Sequence, residues 1–321
     1  MSGWIQPVGD APGLTAVLEL PHLHVSVLRL ASGERAVLRT GSGEETALVF
    51  AAGRCSATAG GRFWANAGTA LAAAPWMRLA RHGSAGKGVG ESNPAGRPRR
   101  RIAAEFRPLT STTPWPGHQV LWVGPDTAVE LQALEETEII LFAAELGAAA
   151  GQAAGRPAEL YGPNTELAKE IGAGPSRRLV TPLLTPGGES VGLAVGETYN
   201  PPGGWSTYPP HRHDRAPRRS QVGDDANKGE TQHQEVYVFR FAPAEGFGLV
   251  RLYDQHPASG QAYDTAMVFR HADALAIPGG FHTVCAAPGY HLHYLWALAG
   301  PRPEKALHRL DPEHAWVEAE G

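Results

Sequence analysis

"QEVYVFRFAPAEGFGLVRLYD", residues 234–254, is two runs rich in Val, Tyr, Phe and Leu, parted by Pro243 and Gly246. Such side chains suit a pleated, half-buried surface, and the Pro and Gly between them suit a turn, so both runs read as β-strands. Alternate residues of a strand share a face, which places Glu235 with Tyr237 and Phe239 and turns Arg240 to the other side. A carboxylate on an aromatic barrel wall calls for a cation. Arg240 then has a salt-bridged place on the outer face.

The same grammar runs through the chain. Its 321 residues include 39 Gly and 27 Pro without a collagen period, and these fall between short apolar runs such as 24–30, 46–53, 118–124, 137–146, 190–199, 265–270 and 290–298. The fold class is therefore all-β, and the length suits two β-barrel or jelly-roll domains with few short helices. "TELAKEIG" (165–172) reads as one brief helix, with Thr165 as N-cap and Gly172 near its end. The domain link falls here, giving an N-terminal domain over 1–165 and a C-terminal one over 166–321. Residues 78–106 are rich in Gly, Pro and Arg without apolar periodicity and read as a loop insertion.

A formal net charge of −4 gives no global basic field, and the Arg run within 78–106 lacks interleaved aromatics for base stacking, so no nucleic-acid partner is expected. Only Cys55 and Cys285 are present, which excludes a disulfide framework and a cysteine-based zinc site and suits a reducing cytoplasm. Cys285 has the context of a buried structural thiol. Neither a signal-peptide pattern nor an apolar run of about 18 residues occurs, so no membrane partner is expected. A small-molecule ligand is the natural expectation, and a homo-oligomer is compatible with it.

Upstream of Glu235, "YPPHRHD" (208–214) sets His211 and His213 one residue apart, a spacing that points both imidazoles to one side of an extended strand. The H-x-H pattern also occurs at His22/His24 and His291/His293, and chance alone supplies roughly one-half to one such pair in a chain of this composition. The neighbours single out the first pair. Glu235 follows, and then "DALAIPGGFHTV" (273–284) brings Asp273 at a turn, a Pro-Gly-Gly turn and His282 at the start of the next strand. Three imidazoles and one carboxylate suit a divalent metal: zinc first, with manganese or iron as alternatives. His291 and His293 fit a core or interface role. Trp205 and Tyr208 fit the rim of a barrel or its pocket.

The order H-x-H, Glu, then His after Pro-Gly-Gly is the metal-binding pattern of the cupin barrel. With its flanks, "GETYNPPGGWSTYPPHRHD" (196–214), "EVYVFRFAPAEGFGLVRLYD" (235–254), "IPGGFHTVCAAPGYHLHYLWALAGP" (277–301) and "DPEHAWV" (311–317), the chain resembles the 5-deoxy-glucuronate isomerase family. That is a bicupin group of inositol catabolism allied to the 5-keto-4-deoxyuronate isomerases. The resemblance is strong over 190–317 and weak in the first half, where "VLWVGPDTAVELQALEETEIILFAAEL" (120–146) carries it. It implies His211, His213, Glu235 and His282 as metal ligands and a degenerate N-terminal cupin, since His22/His24 lacks the rest of the set. The sequence departs from the family at Phe281-His282-Thr283 and Tyr294-Leu295-Trp296, where Tyr-His-Pro and Tyr-Leu-Asn are usual. It departs also in the length of 214–234, which reads as a loop or lid at the barrel mouth.

The implied chemistry is a metal-dependent aldose–ketose isomerisation of a uronic-acid-type sugar, 5-deoxy-glucuronate above all. The ion polarises the two oxygens while a base moves a proton between neighbouring carbons. A ligated Glu235 is a poor base, which leaves a water on the ion, Tyr253 or His256. Arg251, two residues before Tyr253 and on the same strand face, is the expected clamp for the sugar's carboxylate. A cupin dioxygenase and a non-catalytic sugar-acid-binding bicupin are the alternative readings.

Overall fold

The structure is a computed structural model that describes residues 3–68, 117–215, 230–255 and 260–319. The expected insertion at 78–106, most of 214–234 and His256 lie outside the described residues. Counted over the described residues, the strands form four sheets, and every strand pair within them is antiparallel. In the first half, a six-stranded sheet centred on Glu44–Ala52 and Thr137–Glu145 faces a four-stranded sheet centred on Ala128–Ala133 and Arg54–Ala59. Leu28, Leu48, Phe50, Leu121, Val129 and Ile139 fill the space between them.

In the second half, a seven-stranded sheet runs in the order Ile5–Pro7, Asp273–Ile277, Gln234–Ala242, His291–Ala299, Ala194–Asn200, Arg178–Leu184, Lys169–Ile171. Opposite it lie five strands: Tyr263–Arg270, Phe247–Asp254, Phe281–Ala286, Trp205–Arg212 and Arg309–Leu310. Aromatic residues dominate this core, where Phe239 stacks on Phe269 with centroids 3.8 Å apart and Tyr237 packs on Tyr294 at 4.6 Å. The all-β expectation holds, and the helices are single turns such as Ala150–Ala153.

The two large sheets pack on each other through a third apolar cluster. Val27, Val49, Trp122 and Phe142 come from one half, and Val195, Val238, Leu295 and Ala297 from the other. The contact is also ionic. Glu45, fully buried on the first half, accepts backbone N–H groups of Val191, Gly192 and Leu193 at 2.6–2.8 Å and the Trp122 indole at 2.7 Å. Glu138 of the first half pairs with Arg29 of its own sheet and with Arg240 of the second half. This is the salt bridge expected for Arg240, and its outer face is the seam between the halves. The chain's first strand, Ile5–Pro7, crosses to the second half and pairs with Asp273–Leu275.

The helix expected over 165–172 does not form. Thr165–Leu167 is one 3-10 turn, and Lys169–Ile171 is an exposed edge strand paired with Arg178–Val180. Local propensity favoured a helix, but the neighbouring strand Arg178–Leu184 offers a ladder of hydrogen bonds, and tertiary pairing prevails over a weak preference.

Candidate metal centre

Four side chains expected to share an ion do converge. Donor atoms of His211, His213, Glu235 and His282 lie within 4.8 Å of one another inside the second half. Register explains how. His211 sits directly across from His282, and Glu235 sits across from Ile277 on the strand that leads into the Pro-Gly-Gly turn. That turn needs glycine: Gly280 has φ of +87°, and a Cβ there would stand 2.2 Å from the Tyr263 hydroxyl. Only Gly takes that conformation without cost, so the motif fixes where His282 enters the barrel.

Tautomers set by the backbone make the cluster ask for a cation. His213 Nδ1 lies 3.3 Å from the His233 carbonyl and His282 Nδ1 lies 3.3 Å from the Gly280 carbonyl. With those N–H groups donated, each neutral ring would turn an Nε2 lone pair toward the cluster, so a proton or a cation is needed there. Both then face one atom: Glu235 Oε2 is 3.0 Å from His213 Nε2 and 3.2 Å from His282 Nε2. The same oxygen already accepts the Tyr237 hydroxyl at 3.1 Å. His282 Nε2, for its part, is buried without a hydrogen-bond partner. Acceptors packed against an acceptor are unfavourable unless a proton or a cation sits between them.

The charge states answer the same geometry with protons in the ion's place. Burial alone would raise the Glu235 carboxyl, but the adjacent His213 and His282 imidazoles outweigh it and hold it at about 2. Burial would lower His213, yet its hydrogen bond to Glu235 raises it. His211 lies well below the usual imidazole range, chiefly through burial and then through the neighbouring His282 and His308. Three imidazoles and one ionised carboxylate in a buried corner fit zinc, manganese or iron.

The cluster forms one wall of a cavity of about 430 Å³ that also meets Arg178, Tyr237, Tyr294, Trp296, Lys305 and His308. Arg178, Lys305 and His308 carried no functional expectation. Arg178 opens a strand, Arg178–Leu184, whose run "RLVTPLL" is interrupted by Pro182, so the sequence alone does not mark its inward face. His308 lies in a segment without regular structure, and no local pattern marks it; its ring stands 4.7 Å from that of His211.

Arg251 and Tyr253 are not brought to the cluster. Leu252 pairs with His282 and shares its inward face, so the residues on either side of Leu252 point out. Arg251 is exposed and ion-paired with Asp264 at 2.7 Å, and its guanidinium lies 4.0 Å from the Tyr253 ring. The Tyr253 hydroxyl donates to Asp311. Trp205 and Tyr208 pack edge to face at 5.6 Å and do not line the cavity. Cys285 is half-buried, and burial raises its thiol pKa, in keeping with a structural role.

A second polar cluster lies on the opposite face of the seven-stranded sheet. Thr198 and Tyr294 line the cavity, so the preceding residues, Glu197 and His293, turn toward the first half. There Glu197 accepts the His118 backbone N–H at 3.3 Å, His118 Nδ1–H at 2.6 Å and His293 Nε2–H at 3.1 Å. Donors satisfy this carboxylate. The cluster therefore reads as a tie across the seam, in line with the core or interface role expected of His293.

Two antiparallel sandwiches in tandem, with a histidine–carboxylate cluster inside the second, define a protein of the cupin class. Solved structures agree on the fold: an IolB-like protein from Salmonella typhimurium superposes with a TM-score of 0.72 at 22% identity, covering 98% of this chain and 99% of that one. Oxalate decarboxylase from Lactobacillus farciminis, a cupin barrel protein, gives 0.54 at 13% identity, covering 99% and 91%. The chain belongs to the KduI/IolB family, whose model matches residues 112–317. Among curated relatives, the 5-deoxy-glucuronate isomerases of Geobacillus kaustophilus and Geobacillus thermodenitrificans are 36% and 32% identical, over 50% and 61% of this chain. The matched part spans 53% and 65% of those relatives' own lengths. Among the described residues, no helix is long and apolar enough to cross a membrane.

Proposed function

We propose that the chain is a metal-dependent aldose–ketose isomerase of a uronic-acid-type sugar, converting 5-deoxy-glucuronate to 5-dehydro-2-deoxygluconate in cytoplasmic inositol catabolism. The observation that carries this is the single oxygen, Glu235 Oε2, faced by two buried imidazole Nε2 atoms beside a 430 Å³ cavity. Relatives named for this reaction support the substrate. His211, His213, Glu235 and His282 would hold the ion, zinc first and manganese or iron as alternatives. Such an ion would supply electrophilic pull on the sugar's oxygens and so make the C–H bond beside the carbonyl more acidic.

The chain's own groups do the rest. Glu235 is occupied by its partners and cannot serve as base. Burial raises the Tyr237 and Tyr294 hydroxyls, which keeps them protonated and able to donate hydrogen bonds. Among the described residues, His308, on the cavity wall, is the imidazole outside the ligand set placed to take the proton from the carbon beside the carbonyl and return it to the former carbonyl carbon. A hydroxyl proton passes between the two oxygens, so product and substrate have the same atoms. Tyr237, Tyr294 and Trp296 give the cavity an aromatic wall.

The test is elemental analysis of the purified protein followed by an NMR assay with 5-deoxy-glucuronate. Product with metal and none after chelation is expected. Oxygen uptake in place of isomer would make the chain a dioxygenase, and a bound sugar acid recovered unchanged would make it a binding protein.

A further inference from the structure

Among the described residues, no carboxylate answers the cation of Arg178. Among the described residues its guanidinium donates to the Ser176 carbonyl at 3.0 Å and forms no ion pair. It is half-buried, not solvated at the surface as Arg251 is. Register turns it inward: Val180 pairs with Thr198, Thr198 pairs with Tyr294, and Arg178 is two residues from Val180 on the same strand. All four line the cavity.

The remaining charges sharpen the point. Among the described residues lining the cavity, Glu235 is the one acidic side chain, and its Oε2 is committed to His213, His282 and Tyr237. Lys305, exposed at the wall, adds a second fixed positive charge. A cavity with two unanswered cations and aromatic walls favours an anion, and a guanidinium selects a planar, two-oxygen one.

We propose that Arg178 is the anchor for the carboxylate of a sugar acid, holding that end of the ligand while its carbonyl end faces the histidine–carboxylate cluster. A two-point grip of this kind sets the orientation of the chain of carbons and excludes neutral sugars of the same size. The inference rests on the sugar-acid reading of the cavity for the identity of the ligand, but binding alone can test it.

The experiment is calorimetric titration of the metal-loaded full chain with two probes, D-glucuronate and the uncharged D-glucuronamide. Wild type is expected to favour the acid by roughly ten- to a hundredfold, the scale of one charged hydrogen-bonded partner. Arg178→Gln loses that preference while keeping its metal content and melting temperature, Arg178→Lys keeps part of it, and the outer-face control Arg251→Gln keeps all of it. Should Arg178→Gln fold poorly, the Arg178→Lys titration decides, since a point charge without the planar fork must weaken the acid and leave the amide unchanged. Equal binding of both probes by wild type, binding of neither, or an undiminished preference in the Arg178 variants would overturn the assignment. Because no turnover is read, loss of preference in a protein that fails to isomerise any sugar would uphold the anchor and sink the isomerase reading alone.

Discussion

Leu252 lies directly across from His282 on adjacent strands, and this one pairing decides which arginine can meet a ligand. Partners across an antiparallel ladder share a face, so the inward turn of His282 carries Leu252 with it and sends Arg251 out. Arg178, from a strand on the other sheet, occupies the interior instead.

Arg251→Gln is therefore expected to change turnover and substrate binding by less than about twofold. Its partner Asp264 is also exposed, and a screened surface pair contributes at most about 1 kcal/mol to stability. Steady-state kinetics and a urea melt check both halves of the statement. A tenfold loss of turnover would return Arg251 to the site.

Metal removal should cost stability as well as activity. An ion at a hundredfold excess over its Kd contributes about 2.7 kcal/mol to the folded state, which is several degrees in Tm for a chain of this size. Thermal scans with chelator, then with zinc restored, should show the midpoint fall and recover. His282→Gln removes a ligand and should abolish the response; an unchanged response would exclude His282 from the set.

Glu45→Gln should loosen the seam between the halves. Oε1 accepts Gly192 and Leu193 N–H, and Oε2 accepts Trp122 Nε1–H and Val191 N–H. An amide turns an NH₂ toward one of those donor pairs whichever way it sits. The expected loss is about 3 kcal/mol or more, since buried donors are left facing a donor. Chemical denaturation measures it, and a change under about 1 kcal/mol would show that the seam relaxes around the substitution.

Acid should weaken the same seam. Burial would raise the Glu138 carboxyl, but Arg240 and Arg29 outweigh it and lower it; His118 and His293 likewise hold Glu197 at about 2. A carboxyl depressed on folding contributes stability that is complete above its unfolded value, about 4.3, and is lost as pH falls toward the folded value. Stability should therefore decline below about pH 4, and Glu197→Gln should flatten that decline while lowering stability at neutral pH. Urea midpoints across the acid range check this; an acid limb identical in the variant would remove Glu197 from the account.

Much of the candidate site was legible because it is written in short range. His211-x-His213 and Pro-Gly-Gly-x-His282 are local devices: alternation sets two imidazoles side by side, and Gly280 supplies a left-handed turn. Glu235 stood out because a carboxylate in a run of aromatic and β-branched residues has no local explanation. Alternation also correctly joined Arg251 to Tyr253, whose ring the guanidinium covers at 4.0 Å. It could not say which face of that strand was inside.

The sequence by itself determined the strand character of the chain, the chemical types of the four converging side chains and the turn that delivers His282. Tertiary structure alone decided that Arg178 faces the cavity, that 169–171 is an edge strand, that Ile5–Pro7 joins the far sheet and that His118 meets Glu197 across 79 residues of chain. The physical reason is that a strand's period of two offers two equivalent faces. Which of them is buried depends on the partner strand and the sheet packed behind it, and those are fixed by contacts distant in sequence.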